Sequence, residues 1–389
     1  MPKTFRAKMT LACVFALCAL SVVLSRPALA ATSQPKLEEA ESAVLADNAG
    51  NILWSKNPDD KIPPASITKI MTAMVALDAE IPMDEMVECT DVDLQWDAQM
   101  AGYLPGQKVS FDELMRMTLI YSANDAATLV ARKVAGSEGE FAKLMNKKAA
   151  EIGMTNTTFK NPHGLEEDGH VATARDLVTM GRYAMSHYPY IVKTVAKPNT
   201  TATIEGEEVV FASTDDLMQT YKGLMGIKTG ASEHGTTFLG SARRNDTTLY
   251  TCVLGCKTNS GRFADTASLM DWAWSQYKRY DLAKAGTCPK LAPFAWHFGY
   301  SCVVETLEDS DGLVWPDGGA TKFSQVMMRP EMLVSPSQAY GAKMWIQDGR
   351  IVGSCAYVTR PQLVKNNSFG PFTSLWTVSP AVELKGQSA

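Results

Sequence analysis

The stretch PPASITKIMTAMVAL, residues 63–77, decides how the first half of the chain folds. Its two prolines stop an extended segment, because proline favours turns and the first turn of a helix. The apolar residues that follow recur at spacings of three and four, which predicts a helix with one buried stripe. Ser66 and Lys69 lie one turn apart at the start of this helix, so the lysine amine is expected to reach the serine hydroxyl.

A serine and a lysine at this spacing can form a nucleophile and its base. A serine hydroxyl is a weak nucleophile until a neighbouring group takes its proton. Lys69 can do so only as a neutral amine, which burial, a second cation nearby and the positive end of a helix all favour. The pair alone is a weak signal, because the same spacing recurs in Ser33 with Lys36 and in Ser275 with Lys278. Two ordinary surface residues are the alternative interpretation.

Two further motifs strengthen the catalytic interpretation. The motif YSAND contributes Ser122 and Asn124 in a break between two predicted helices. The motif GIKTG contributes Lys228, Thr229 and Gly230 on a predicted strand. Each motif is weak alone, but the three together, each in its expected structural context, indicate one catalytic cleft. For Asn124 the alternative is a helix cap, and both roles are compatible.

The remaining patterns predict the fold around these motifs. AVLADNAGNILWSKN, residues 43–57, has a turn-rich centre and predicts a β-hairpin. Strand patterns return in GLMGIKTGAS, TTFLGSARR and TLYTCVLGC, and the helix pattern RFADTASLMDWAWSQY follows them. Strands at both ends of a helical middle predict an α+β fold with one antiparallel sheet covered by helices. The helical middle has three capping-box patterns: Ser110 with Glu113, Ser137 with Glu140, and Thr173 with Asp176.

The N-terminus has the layout of a secretory signal peptide. Lys3, Arg6 and Lys8 precede an apolar run that ends at Leu24, and a small-residue site ends at Ala30. This pattern is typical of a signal that is cleaved after Ala30, with an uncleaved signal anchor as the alternative. We therefore expect an exported, extracytoplasmic protein, in the periplasm or in the cell wall.

The C-terminal part of the chain differs in composition. It contains more proline and glycine, and AKMWIQDGRIVGSCAYV predicts a hairpin that turns at Asp348-Gly349. The predicted organisation is a signal peptide at 1–30, a leader at 31–41, a catalytic domain at 42–281 and a small, mainly β domain at 282–389. The final segment, FTSLWTVSPAVELKGQSA, has few cations and a central proline, so it makes a poor membrane-surface helix. Membrane attachment therefore stays open.

Charge and cysteine content limit the partners and the covalent structure. The formal net charge of −5 argues against nucleic acid as a partner, the more so once the cationic signal is removed. Cys252 and Cys256 cannot bond to each other, because an extended chain holds them roughly 13 Å apart. A disulfide among Cys288, Cys302 and Cys355 is the best prediction, with its pairing open. Buried thiols are the alternative.

The motifs and their surroundings resemble a known family. The stretches PPASITKIMTAMVAL, YSANDAATLVA, GMTNTTFKNPHGLEEDGHVATARDL and GLMGIKTGAS are similar to those of D-alanyl-D-alanine carboxypeptidases, the low-molecular-mass penicillin-binding proteins of the superfamily that includes the serine β-lactamases. The resemblance covers roughly Ser42 to Tyr280. It implies a five-stranded antiparallel sheet with a helical subdomain, and removal of the terminal D-alanine from peptidoglycan stem peptides. It also implies acylation by β-lactam antibiotics and no cofactor.

The resemblance implies a catalytic role for residues of the first two motifs. Ser66 attacks the carbonyl of the penultimate D-alanine, and Lys69 is its general base. Ser122 passes the proton towards the leaving D-alanine. Asn124 positions Lys69 and the substrate amide.

The third motif is expected to bind the substrate. By the resemblance, Lys228 and Thr229 hold the terminal carboxylate, and Gly230 leaves room for substrate along its strand. The backbone N–H groups of Ser66 and Ala231 form the oxyanion hole.

Several interpretations compete with this one. His163 and His170, with the acidic residues between them, suggest a metal site, but no His-Glu-x-x-His pattern is present. No Gly-x-Ser-x-Gly elbow supports a Ser-His-Asp triad. A β-lactamase would need a carboxylate that activates the deacylating water, with Glu166 or Glu167 as candidates. A DD-endopeptidase of the same superfamily and a non-catalytic wall-binding protein with the same scaffold also compete.

Overall fold

The structure is a computed structural model. It describes residues 34–94, 98–244, 247–287, 290–293, 300–315, 324–328, 335–347 and 350–365. The predicted signal peptide, Cys288, the hairpin turn at Asp348-Gly349 and the segment FTSLWTVSPAVELKGQSA lie outside these ranges.

A five-stranded antiparallel sheet forms the centre of the N-terminal part, as the resemblance implied. Its strands, in spatial order, are β2 (Ile52–Lys56), β1 (Ser42–Asp47), β9 (Thr247–Cys256), β8 (Gly235–Arg244) and β7 (Leu224–Ser232). The hairpin of β1 and β2 and the three later strands agree with the sequence predictions. Within this sheet β7 is an edge strand that pairs only with β8.

Helices and short hairpins surround this sheet. The helices are α1 (Thr68–Asp78), α2 (Phe111–Arg116), α3 (Asn124–Ala135), α4 (Glu138–Glu151), α5 (Ala174–His187), α6 (Pro189–Val195) and α7 (Asn259–Gln276). Two hairpins are added by β3 (Met86–Glu88) with β4 (Lys108–Ser110) and by β5 (Asn199–Ile204) with β6 (Glu207–Ala212). Single turns of 3₁₀ or π type lie at Ala65–Ile67, Met117–Tyr121 and Asp216–Gln219.

At all three predicted capping boxes the hydrogen bond to the N-cap hydroxyl forms. The hydroxyl oxygens of Ser110, Ser137 and Thr173 accept hydrogen bonds at 3.1–3.2 Å from the backbone N–H three residues later. These bonds satisfy N–H groups that the first turn of each helix leaves without an intrahelical partner. Local sequence therefore determines where α2, α4 and α5 begin.

The central sheet buries side chains on both of its faces. In β1, Val44 and Ala46 belong to the apolar core that includes residues of α1 and α5. Ala43 and Leu45 belong to a second core, with residues of α7 on the other face. This alternation follows because successive side chains of a strand point to opposite faces. The fold is therefore a sheet between two helical layers.

The C-terminal part is mainly β, as predicted. Its antiparallel sheet contains, in spatial order, β11 (Lys290–Pro293), β12 (Tyr300–Thr306), β16 (Arg350–Lys365), β15 (Ala339–Gln347) and β14 (Ser324–Met328). A separate pair joins β10 (Lys278–Ala283) to β13 (Ser310–Val314), and β10 crosses the predicted domain boundary at 281. The predicted pairing of β15 with β16 is present.

The predicted disulfide is wrong for the described residues. Cys302 and Cys355 are both buried free thiols. Cys302 packs with Val304, whereas Cys355 belongs to a separate apolar group with Trp345. The two thiols lie in different apolar groups and do not bond to each other. Both are buried thiols, which was the alternative interpretation. Cys252 and Cys256 are buried free thiols as well.

Candidate active site

The Ser-Lys pair lies at the N-terminal end of α1. Ser66 occupies the single 3₁₀ turn Ala65–Ile67, and Lys69 lies in the first turn of the α-helix that follows. The Lys69 Nζ lies 2.9 Å from Ser66 Oγ, within hydrogen-bond distance. The Lys69 side chain is fully buried, whereas Ser66 is half-buried and accessible from the cleft. The predicted contact between amine and hydroxyl is therefore present.

Two other oxygen atoms receive N–H groups from Lys69. Asn124 Oδ1 lies 2.7 Å from Nζ, and the backbone oxygen of His163 lies 2.6 Å from it. A carbonyl oxygen only accepts hydrogen bonds. A neutral amine has two N–H groups and one lone pair, so these two acceptors leave the lone pair to face Ser66 Oγ. The arrangement orients Lys69 to take the serine proton.

The surroundings of Lys69 favour its neutral form. Burial is the largest cause that lowers the pKa of Lys69 well below its ordinary value, and the charge of Lys228 lowers this pKa further. The carboxylate of Asp125 acts in the opposite direction. A buried lysine next to a second cation is a recognised way to obtain an amine base near neutral pH.

The second motif sits where a π turn meets α3. Ser122 is buried and has φ +70°, the left-handed region that residues other than glycine rarely adopt. Ala65, which precedes Ser66, also has a positive φ, of 49°. Such backbone outliers cost about 1–3 kcal/mol and occur preferentially at functional sites. Asn124 begins α3, and its N–H donates to Gln99 O across 2.8 Å.

The third motif brings a second buried lysine to the cleft from β7. Lys228 is nearly fully buried, and burial together with the nearby Arg262 lowers its pKa to about 7. Asp215 acts in the opposite direction, and burial raises its own pKa to about 6. Thr229, next in the strand, is buried and its hydroxyl contacts that of Thr214. Lys228 lies close enough to Lys69 for its charge, when present, to act on that amine.

Gly230 allows β7 to approach the nucleophile. A Cβ at this position would lie 2.5 Å from Thr237 Oγ1 and 3.0 Å from both Ala65 Cβ and the backbone nitrogen of Ser66. Contacts this short are not tolerated without movement of the neighbours. The close approach of the two backbones thus provides a structural reason for glycine, in addition to the substrate space that the resemblance implied. Ala231, the next residue, is exposed.

The segment 161–165 supports the base of the cleft. Its residue Gly164 has φ +90°, and a Cβ there would lie 2.0 Å from the backbone oxygen of Ala65. Thr72 Oγ1 also donates to Pro162 O across 2.5 Å. Only glycine permits so close a contact in this conformation. This segment delivers the His163 carbonyl to Lys69, a contact that the sequence analysis did not identify because it involves a backbone atom.

Arg262 is a second residue that the sequence analysis did not identify. Its Nη1 donates to the backbone oxygen of Gly230 across 2.7 Å, and it is buried. Its place in the sequence offered one indication of a special role. A cation in the first turn of a helix, here α7, opposes the helix dipole and needs another reason to be there.

The glutamate and histidine side chains considered for a metal site or a β-lactamase make hydrogen bonds to other groups of the protein. The Oε1 of Glu166 accepts from the backbone N–H of His234, and the Oε2 of Glu167 accepts from Asn161 Nδ2. The imidazole of His170 contacts Thr68 Oγ1 at 2.9 Å and accepts from the backbone N–H of Lys160. Burial lowers the pKa of His170 to about 4, so the ring is neutral and held as part of the scaffold.

The fold is shared with solved penicillin-binding proteins. The chain superposes on penicillin-binding protein 5 from Haemophilus influenzae with a TM-score of 0.62 and 22% identity, over 85% of this chain and 99% of that one. It also resembles penicillin-binding protein D2 from Listeria monocytogenes in its ampicillin-bound form, with a TM-score of 0.55 and 34% identity, over 61% of this chain and 99% of that one.

The sequence comparisons define the family. Residues 29–258, more than half of the chain, match the family described as D-alanyl-D-alanine carboxypeptidase. The chain belongs to this family. It is 32% identical over 252 residues to the D-alanyl-D-alanine carboxypeptidase DacF of Bacillus subtilis. That match covers 63% of this chain and 65% of DacF, slightly less than two thirds of that relative's length.

Proposed function

We propose that this protein is a serine-type D-Ala-D-Ala carboxypeptidase that removes the terminal D-alanine from peptidoglycan stem pentapeptides through an acyl-enzyme on Ser66. The observation that carries the proposal is the 2.9 Å contact between the hydroxyl of Ser66 and the buried amine of Lys69. Membership of the D-alanyl-D-alanine carboxypeptidase family supports the choice of substrate. No cofactor takes part in the proposed reaction.

Acylation uses the lone pair of Lys69. The Ser66 oxygen attacks the carbonyl carbon of the penultimate D-alanine while its proton moves to Lys69 Nζ. The oxyanion lies between the backbone N–H groups of Ser66 and Ala231, whose hydrogen bonds strengthen as its charge develops. Ser122 passes the proton from Lys69 on to the leaving D-alanine nitrogen as the peptide bond breaks, which returns Lys69 to its neutral form. Water then hydrolyses the ester and restores Ser66.

The remaining motif residues bind the substrate. Lys228 and Thr229 receive the terminal carboxylate, and the positive charge near Arg262 adds to the attraction. Gly230 keeps β7 close to the nucleophile. Asn124 holds the Lys69 amine and contacts the substrate amide. A β-lactam carries a carboxylate and a strained amide, so it would acylate the same serine.

Covalent labelling and product release test this proposal together. A fluorescent penicillin is expected to label the wild-type protein, and a peptide ending in D-Ala-D-Ala is expected to lose one D-alanine. Ser66→Ala should abolish both results. Ser275→Ala provides a matched control, since Ser275 has the same spacing to a lysine and lies at the exposed end of α7. Labelling that survives Ser66→Ala refutes the proposed nucleophile.

The same assay separates the competing activities. A β-lactamase would turn over penicillin quickly without releasing D-alanine, but Glu166 and Glu167 both have other hydrogen-bond partners. A DD-endopeptidase would cleave cross-linked dimers, which mass spectrometry of defined muropeptides detects. A non-catalytic wall-binding protein would bind these peptides and release nothing.

We also propose export and a four-part organisation: signal peptide 1–30, leader 31–41, catalytic domain 42–281 and C-terminal domain 282–389. Among the residues that the structure describes, no helix combines the length and apolar character that a membrane span requires. A mature protein that begins at Ala31, identified by mass in the extracytoplasmic fraction, would support cleavage. An intact N-terminus in the membrane fraction would favour a signal anchor.

A further inference from the structure

The Lys69 amine depends on a carbonyl that no regular element holds. The backbone oxygen of His163 receives a Lys69 N–H across 2.6 Å, and it lies in the segment 161–165, which is neither helix nor strand. The hydrogen-bond ladder of a helix or sheet fixes the direction of its carbonyls. Here side chains fix the direction: the N–H of Gly164, in the same peptide unit as this carbonyl, donates to Asn161 Oδ1 across 2.8 Å, and the side chain of residue 163 is the second point of attachment. The buried imidazole of His163 is the part of the residue that other elements hold.

The hydrogen bonds of the imidazole define its tautomer. His163 Nδ1 accepts from the backbone N–H of Leu165 across 3.2 Å, so it carries no proton. A neutral imidazole then carries its proton on Nε2. This Nε2 lies 3.4 Å from Glu138 Oε2. Burial lowers the pKa of His163, which keeps the ring neutral and makes Nε2–H a donor towards the carboxylate.

Glu138 is itself held in place by α3. It is the first residue of α4, and its Oε1 accepts from Arg132 Nη2 across 3.1 Å. Arg132 Nη1 in turn donates to the backbone oxygen of Asp91 across 2.6 Å and to Thr90 Oγ1 across 3.1 Å. The bond from His163, followed by that from Arg132, lowers the pKa of Glu138 and keeps it anionic. Glu138 therefore accepts on both of its oxygens.

We propose that Glu138 is a positioning residue, which fixes the His163 carbonyl so that the lone pair of Lys69 faces Ser66. The inference deepens the proposed function and rests on it. The contacts of the Glu138 carboxylate in the described structure are with His163, Arg132 and Thr128 Oγ1, so its action on Lys69 passes through His163.

The consequence for the reaction follows from the count of donors and acceptors. Without the carboxylate, the Nε2–H of His163 has no partner in a buried place, and the ring turns to find one. The carbonyl of the same residue then keeps only the restraint from Asn161 and moves away from Lys69 in part of its orientations. With one fixed acceptor instead of two, the amine presents an N–H to Ser66 Oγ in part of its orientations. Acylation slows, while the carboxylate pocket around Lys228 keeps its shape.

The charged groups near His163 and Lys69 also determine how the acylation rate depends on pH. Glu138, Lys69 and Glu167 act on His163, whereas Lys228 and Asp125 act on Lys69. Loss of the carbonyl acceptor and of the Glu138 charge disfavours the ammonium form of Lys69. The acidic limb of the plot of acylation rate against pH should therefore move to lower pH. A merely structural defect removes active protein equally at every pH.

The test compares Glu138→Ala and Glu138→Gln with Glu140→Ala in the full-length mature protein. Glu140 lies in the same first turn of α4, but its exposed side chain pairs only with Lys143 among the described residues. Acylation by a fluorescent penicillin is followed between pH 5 and pH 9, with the rate constant separated from the dissociation constant. The stoichiometry of labelling gives the active fraction, and the thermal midpoint reports folding.

Glu138→Ala is expected to acylate about tenfold more slowly at pH 8, with its dissociation constant within about twofold of wild type and its acidic limb at lower pH. Glu138→Gln should recover part of the rate, because its amide oxygen can accept from His163 Nε2–H. Glu140→Ala should match wild type. Equal acylation rates for Glu138→Ala and Glu140→Ala overturn the inference. A slower rate with the acidic limb at the same pH as in wild type overturns it as well. Wild-type protein that is neither labelled nor active overturns the proposed function itself.

Discussion

Asn124 Oδ1 lies 2.7 Å from Lys69 Nζ, so the first side chain of α3 meets the first turn of α1 beneath the nucleophile. The contact is buried on both sides. A neutral amide accepts one N–H from Lys69 without favouring the charged amine as strongly as a carboxylate would. The choice of amide rather than acid at this position therefore bears directly on the protonation of Lys69.

Asn124→Asp is expected to convert Lys69 from a base into an ion-pair partner. An anion 2.7 Å from Nζ raises the pKa of the amine, and a shift of about two units lowers the neutral fraction of Lys69 near neutral pH by at most about a hundredfold. The rate of acylation by penicillin at pH 7 should fall by up to about this factor and recover as the pH rises to 10. Asn124→Ala, which introduces no charge, should lose rate without the steep pH dependence. Parallel profiles for wild type and Asn124→Asp would contradict this assignment.

Lys228 should take up a proton when a carboxylate binds. Its pKa of about 7 leaves most of the free protein with a neutral amine at pH 8. A bound carboxylate favours the charged amine, so binding draws a proton from the buffer, and this uptake grows as the pH rises from 6 to 8. Calorimetric titration of the Ser66→Ala variant with a D-Ala-D-Ala peptide, in two buffers of different ionisation enthalpy, measures the uptake. About half a proton or more is expected at pH 8.

Lys228→Met in the Ser66→Ala background is the control for that titration. It removes the amine and should abolish the buffer dependence together with most of the affinity. Release of protons on binding, or equal heats in both buffers at pH 8 with Lys228 present, would show that the amine is already charged in the free protein.

The sequence predicted those parts of the site that local rules determine. The spacing of Ser66 and Lys69 places them on one helical face, and each capping box marks a helix start through a bond within four residues. The edge position of β7 could not be read in the same way. It depends on strand pairing across the whole domain, and the family resemblance implied a five-stranded sheet without the place of this strand in it.

The remaining parts arise from contacts between distant segments. The His163 carbonyl is a backbone atom, and any residue type could provide it. Arg262 reaches Gly230 only because α7 packs against the sheet next to β7. The error over Cys302 and Cys355 has the same origin. Cysteine spacing does not reveal that the two thiols belong to different apolar groups.

Gly230→Ala should separate β7 from the nucleophile. The new Cβ would contact Thr237 Oγ1 at 2.5 Å and the Ser66 backbone nitrogen at 3.0 Å, so the strand must shift. We expect a loss of about 1–3 kcal/mol in the free energy of unfolding and slower acylation. Urea denaturation and penicillin labelling measure the two effects.

Two variants control for Gly230→Ala. Adding Thr237→Ala removes the shortest contact and should restore part of the stability. Gly139→Ala, in α4, meets no atom within 4 Å and should stabilise by about 0.5–1 kcal/mol. A Gly230→Ala protein as stable and active as wild type would mean that the two backbones do not approach as closely as described.

Asp265 should hold the predicted leader onto the catalytic domain. This buried carboxylate of α7 accepts from the backbone N–H groups of Glu38, Glu39 and Ala40 at 2.7–2.9 Å. Once water is excluded, these three N–H groups have no other acceptor, so the carboxylate satisfies all three. The leader residues 38–40 are therefore part of the folded structure rather than a free tail.

Asp265→Asn replaces one acceptor oxygen by an NH₂ group that points at N–H donors. We expect the free energy of unfolding to fall by about 2–3 kcal/mol in urea denaturation, because the remaining oxygen cannot serve three donors. A glutamate-specific protease should then cut at Glu38 and Glu39 well before the rest of the domain. Asp271→Asn, on the same helix with an exposed side chain, should cost less than about 1 kcal/mol and leave the leader protected. Equal protection in both variants would show that the apolar contacts of the leader suffice to hold it, and that the Asp265 carboxylate adds little.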